Sequence, residues 1–176
     1  MACSVASLMT GLGAGAAGTG PARSRLVEAT GLEEVGAGPP ISSTKGQGLW
    51  LVTRAGRVIA LGDARSYGDA HARTPVVGVA PAPDGRGYWM ATSGGGVYSF
   101  GDAGRFGSLG GRPLASPVVG IAATADGKGY WLATRAGTVY GFGDAAAPGP
   151  GSLAPALGPV VAIAADPAGP GFWLAT

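Results

Sequence analysis

The chain has one cysteine, Cys3, and one histidine, His71, in 176 residues. A single thiol excludes an internal disulfide and any metal site built from thiolates, and it leaves the redox compartment unread. Charge is nearly as scarce. Charged residues make up 12% of the chain, 12 basic against 10 acidic, for a net charge of +2. The isoelectric point near 8.9 does not imply a nucleic-acid partner, because Arg and Lys stand singly and phosphate binding needs a concentrated basic stripe. No apolar run reaches 18 residues without a glycine, so no transmembrane helix is expected.

Glycine is abundant instead. The chain holds 35 Gly and 14 Pro without a Gly-X-Y period, which argues against a collagen-like helix. Apolar residues reach 46%, too many for a disordered polar chain. A compact structure rich in tight turns follows. The first 20 residues are small, uncharged and mildly apolar, with no Lys or Arg before Arg23. Ser4 to Ala17 reads as a worn secretory signal or as a plain tail, since the basic start of a signal peptide is missing. Ala22 to Val35 reads as a short helix or an extended lead-in, stopped at Pro39-Pro40.

From residue 48 onward the chain repeats itself. Trp50, Trp89, Trp131 and Trp173 are spaced by 39, 42 and 42 residues. Gly62-Asp63-Ala64, Gly101-Asp102-Ala103 and Gly143-Asp144-Ala145 keep the same register. So do the Pro-Val-Val triplets that start at Pro75, Pro117 and Pro159. A period of about 40 to 45 residues points to propeller blades or to helical repeats. Nothing between the glycines sustains an i, i+3, i+4, i+7 apolar stripe, and each interior Gly costs a helix ~1 kcal/mol. Helical repeats are excluded.

The unit that starts at Pro117 shows the strand pattern. Pro117 to Ala123 is a β-branched and small run, followed by Asp126-Gly127, a two-residue hairpin signal. Gly129 to Thr134 is a second strand, with Trp131 and Ala133 on one face and Tyr130 and Leu132 on the other. Thr138 to Phe142 is a third. A short fourth strand is expected near Gly151 to Leu153, matching Arg105 to Ser108 in the preceding unit. The first strand is apolar on both faces, with Val119 and Ile121 to one side and Val118, Gly120 and Ala122 to the other. A sheet buried on both faces needs neighbours on both. The expectation is an all-β, propeller-like array of four-stranded antiparallel blades, with Trp50, Trp89, Trp131 and Trp173 as anchors between them.

The sequences Gly87-Tyr-Trp-Met-Ala-Thr92, Gly95-Gly-Val-Tyr-Ser-Phe-Gly-Asp-Ala103, Arg105-Phe-Gly-Ser108 and Gly129-Tyr-Trp-Leu-Ala-Thr134 carry a resemblance. So does Thr138-Val-Tyr-Gly-Phe-Gly-Asp-Ala145. Together they resemble the tandem Gly-Tyr-Trp-Leu-Val and Phe-Gly-Asp-Ala repeats of predicted extracellular, cell-wall-associated actinobacterial proteins. The resemblance covers roughly Gly48 to Thr176. It implies a propeller-like scaffold, often exported and often joined to another domain; it implies no reaction and brings no catalytic residues. The alternative setting is the cytoplasm. Residues 1–47 are read as tail and lead-in and 48–176 as the repeat domain, with units near 48–74, 75–116, 117–158 and 159–176. That amounts to about three and a half blades, fewer than the four to eight that usually close a ring. A fragment, chains completing each other's ring, or an open stack would each account for it, and open blade edges invite self-association.

Few residues suggest chemistry. His71 lies in a loop between units with Asp69 nearby and no nucleophile at a motif spacing, which reads as a surface histidine. Asp63, Asp102 and Asp144 recur after each third strand, as turn-locking Asx residues or as a ring of carboxylates for cations or sugars. Recurrence in every unit favours the turn. One carboxylate per Gly-Asp-Ala falls short of a calcium loop. Gly94-Gly95-Gly96 lacks the Lys-Ser/Thr and the helix of a phosphate loop. Tyr88, Tyr98, Phe106, Tyr130, Tyr140 and Phe142 read as packing residues, or as sugar-stacking ones if exposed. The sequence therefore points to a non-catalytic scaffold without cofactor, presenting loops to a protein partner or cell-wall glycan. A carbohydrate-binding propeller and an accessory region of a secreted hydrolase are the alternatives.

Overall fold

In the computed structural model, residues 41–42, 48–147, 158–167 and 169–176 are described. All belong to one compact unit, Gly31–Thr176. The expectations for a signal segment, for a helix within 22–35 and for a strand near Gly151 to Leu153 lie outside the described residues.

The described chain is all-β, with eleven strands and no helix. Strands β1 (Ile41–Ser42), β2 (Gly48–Val52) and β3 (Val58–Gly62) form the first sheet. Strands β4 (Val76–Pro81), β5 (Gly87–Thr92) and β6 (Val97–Gly101) form the second, and β7 (Val118–Ala123), β8 (Gly129–Thr134) and β9 (Val139–Gly143) the third. Strands β10 (Ala162–Ala165) and β11 (Phe172–Ala175) pair as a fourth, two-stranded sheet. Every pairing is antiparallel between neighbours in sequence. Along the stack, β4 lies against β7 and β7 against β10.

The middle strand of each sheet sets the core. In β5 and β8 all six residues are buried. The alternation sends Trp131 and Ala133 into a cluster with Phe172 and Leu174, and Tyr130 and Leu132 into a cluster with Trp89 and Ala91. In the second and third sheets the tryptophan stands between small cross-strand partners. Trp89 is flanked by Ala80 and Ser99, and Trp131 by Ala122 and Gly141. Small neighbours leave room for the indole to lie over the sheet and reach the next one.

Among the described residues the expected four-stranded sheets are corrected to sheets of two or three strands. Residues 105–108 form no strand. The Gly104 carbonyl accepts from Trp89 Nε1 at 2.6 Å and from Ser99 Oγ at 3.2 Å. Phe106 turns inward against Trp89 and Tyr130. These contacts hold the segment over the sheet and keep it from pairing along the edge of β6.

Two local readings also change. A bulge between Val118 and Gly120 inserts one residue in β7 opposite β8. It places Val118 with Ile121, and Val119 with Ala122, so Val119 and Ile121 do not share a face. The Asp126-Gly127 hairpin is longer than two residues, being closed by Thr124 N donating to Gly129 O at 3.0 Å. Asp126 accepts from Lys128 N and from Thr124 Oγ1 inside that loop.

Glycine is required at Gly101, which has φ +64 and whose added Cβ would collide with the Arg86 carbonyl oxygen. Gly143 repeats this with φ +69 against Lys128. Gly101→Ala should lower stability by ~1–3 kcal/mol, through left-handed strain and that collision. Trp131→Ala, at 2% exposure, should cost ~3–5 kcal/mol. Urea unfolding checks both. A loss under ~1 kcal/mol at Trp131 would contradict its place in the core.

Candidate functional site

Three of the four recurring tryptophans are engaged in holding the sheets. Trp50, Trp89 and Trp131 are 1 to 2% exposed. Each donates its indole N–H to a backbone carbonyl 15 residues onward, at Arg65, Gly104 and Ala146. Each ring meets an aromatic residue of the following sheet. Trp50 lies 5.7 Å from Tyr88, Trp89 5.7 Å from Tyr130, and Trp131 5.5 Å from Phe172. The tyrosine hydroxyls reach back in turn. Tyr88 Oη donates to Gly68 O at 2.7 Å, and Tyr130 Oη donates to Gly107 O. Burial pushes the Tyr130 phenol above its ordinary range, so it stays a donor at neutral pH.

Threonines close the second hairpins. Thr92 Oγ1 accepts from Gly96 N at 3.0 Å, and Thr134 Oγ1 from Thr138 N at 3.0 Å. Backbone bonds tie each such turn to the start of the next sheet, through Val118 N to Ser93 O and Val160 N to Arg135 O. Trp173 differs from the other three tryptophans, being 64% exposed.

The three aspartates after the third strands do not serve as Asx-turn residues. Asp63 and Asp102 are exposed, and neither side chain has a hydrogen bond among the described residues. Asp144 Oδ1 accepts from Thr124 Oγ1 at 3.2 Å. The turn is held by the backbone, with Asp102 N donating to Arg86 O and Asp144 N to Lys128 O. The Asx role falls on the preceding hairpin tips, where Asp84 accepts from Arg86 N at 2.9 Å and Asp126 from Lys128 N at 3.2 Å. Gly94 to Gly96 is a hairpin turn, as its composition implied. Phe106, Tyr98, Tyr140 and Phe142 are half-buried and pack against the core clusters.

A cleft of about 540 Å³, lined by both polar and apolar side chains, gathers residues that the sequence left apart. Strand β6, from Val97 to Phe100, lines it together with Asp69 and His71 from the first connection and Arg105 and Ser108 from the second. Among the described residues β6 pairs with β5 alone, so its outer edge has no ladder partner. Asp69 and Ser108 hold corresponding places, each one residue after a positive-φ glycine, Gly68 or Gly107. Asp69 Oδ1 accepts from Val58 N at 2.8 Å, and Ser108 Oγ accepts from Gly110 N at 3.3 Å. His71 and Arg105 are exposed. The cleft thus offers an imidazole, a guanidinium and an anchored carboxylate beside an open strand edge. Among the described residues no three His, Cys, Asp or Glu side chains group as metal ligands. No helix among them is long and apolar enough to cross a membrane.

Asp69, His71, Arg105 and Ser108 escaped the sequence reading as a group. His71 and Arg105 are 34 positions apart and come together only because successive connections cross the same strand edge.

No family model matches the chain, and no curated protein matches it. Among solved structures it is similar to Kuenenia stuttgartiensis hydrazine synthase, with a TM-score of 0.55 at 14% identity. The match covers 81% of this chain and 43% of that one. At this identity the likeness concerns the fold alone. The chain spans less than half the length of the protein that it matches.

Hydrogen bonds from Lys128 N and Thr124 hold the Asp126 carboxyl at about 2, below its ordinary 3.8. A carboxylate depressed in the folded state stabilises above the unfolded pKa, and that contribution is lost as pH falls through the folded value. Asp126→Asn should therefore flatten the pH dependence of the melting temperature between about pH 4 and pH 2. An unchanged slope in that window would contradict the role given to this hairpin tip.

Proposed function

We propose that the chain is a non-catalytic scaffold of propeller-like design whose function is recognition. Four successive sheets, with first strands adjacent and a tryptophan face packed on the next aromatic face, support the propeller-like reading. The cell-surface setting implied by the sequence resemblance belongs to the same proposal.

One observation carries the recognition reading: the cleft along the edge of β6 that is unpaired among the described residues. Its natural occupant is an extended protein segment added as a further strand. Main-chain hydrogen bonds to β6 supply affinity, and side chains in the cleft supply selectivity. Arg105 and Asp69 would read opposite charges on the segment, and His71 a polar side chain. The half-buried Tyr98 in the same lining favours a second reading, a carbohydrate stacked on the ring.

A peptide array and a glycan array on the purified chain separate these readings. A peptide ligand should lose binding when its backbone is N-methylated, because strand addition needs the main-chain N–H groups. Arg105→Ala should weaken it roughly tenfold or more. Retention of a sugar, lost in Tyr98→Ala, would favour the second reading. Binding in either class that ignores Arg105, His71 and Tyr98 would overturn the assignment of the cleft.

A further inference from the structure

The two faces of each sheet are chemically distinct, and the interface between them is built three times in the chain. One face presents the tryptophan over a small partner, as in Trp89 opposite Ala80 and Trp131 opposite Ala122. The other presents the second-strand aromatic with its cross-strand partner, as in Tyr88 opposite Phe100 and Tyr130 opposite Phe142. Tryptophan faces always meet aromatic faces of the following sheet.

Among the described residues one face of each kind is left over. The fourth sheet presents Trp173 opposite Ala164, and the indole is 64% exposed where its three counterparts are 1 to 2%. In the first sheet the pairs Leu49–Leu61 and Leu51–Ile59 hold the positions of Tyr88–Phe100 and Met90–Tyr98. All four are aliphatic, and Leu61 is 46% exposed. This is an apolar receiving face on which no indole of the described chain stands.

We propose that a second copy of this chain covers these faces head to tail, Trp173 of one copy seating on the Leu49–Leu61 face of the next. The contact continues the interface that already joins each sheet to its successor. It commits the exposed indole, a group that removes ~150–250 Å² from water when buried. Because the two faces differ, the association is heterologous: each copy gives a tryptophan face and takes one. A pairing of like faces would set Trp173 against Trp173.

Complementation tests the geometry. The native chain should associate in sedimentation equilibrium, above its 17.0 kDa monomer. Trp173→Asp and Leu61→Asp, each changing an exposed side chain, should each weaken association roughly thirtyfold or more. Circular dichroism and melting temperature confirm that each variant is folded, and Trp173→Ser with Leu61→Lys provides a second pair. Mixing the Trp173 and Leu61 variants restores one intact interface, so a 1:1 heterodimer should form and grow no further. A native chain that stays monomeric to about 100 μM, well above the micromolar range of a specific contact, would overturn the proposal and leave the faces to a different partner. So would a folded Trp173 variant that associates normally, or a mixture that remains monomeric.

Discussion

The structure depends on a buried indole that does three things at once. It lies over the small residues beside it in its own sheet, packs on an aromatic ring of the next sheet, and donates its N–H to a carbonyl of the connection between them. Sheets of two or three short strands bury too little surface to offset the backbone entropy of ordering them, ~1–2 kcal/mol per residue. They persist because each supplies the other's missing face. The indole N–H would be costly to bury unpaired. Satisfying it with a carbonyl of the connection therefore fixes the path by which the chain leaves one sheet for the next.

That path explains why the third strand has no outer neighbour among the described residues. Once Gly104 O is claimed by Trp89 and Ser99, the segment that follows must cross the sheet face. Phe106 then fills the space between Trp89 and Tyr130. The hydrogen-bonding capacity of β6 is left at an edge, beside side chains from two successive connections. Packing demand and the proposed recognition surface are thus two sides of one constraint.

The residues that recur and those that do not have separate duties. Trp, the preceding aromatic, the hairpin threonine and the positive-φ glycines are engaged in turns and interfaces, and little of them remains for a ligand. Residues that vary from one connection to the next lie outside the packed faces, though Asp69 and Ser108 each also hold a backbone N–H. His71 corresponds to Gly110, and Asp69 to Ser108. A recognition site on a repetitive frame is therefore expected where the repetition breaks.

The sequence alone determined the all-β class, the period, the middle strands and the face that each of their side chains would take. Those follow from alternation and from tryptophans returning at one spacing, both local properties of the chain. It also marked Gly62-Asp63, Gly101-Asp102 and Gly143-Asp144 as turns, though not that the glycine and backbone, rather than the carboxylate, would hold them. Tertiary structure decided the rest. The bulge at Val119 put Val118 on the face of Ile121 and Val119 on that of Ala122, because pairing register depends on the partner strand. In the second sheet the absence of a fourth strand at 105–108 goes with a hydrogen bond made across 15 residues. Asp69, His71, Arg105 and Ser108 became a cleft because two connections cross one strand edge. The different fate of Trp173 depended on whether another sheet stood beside it, which no feature of its own segment could reveal.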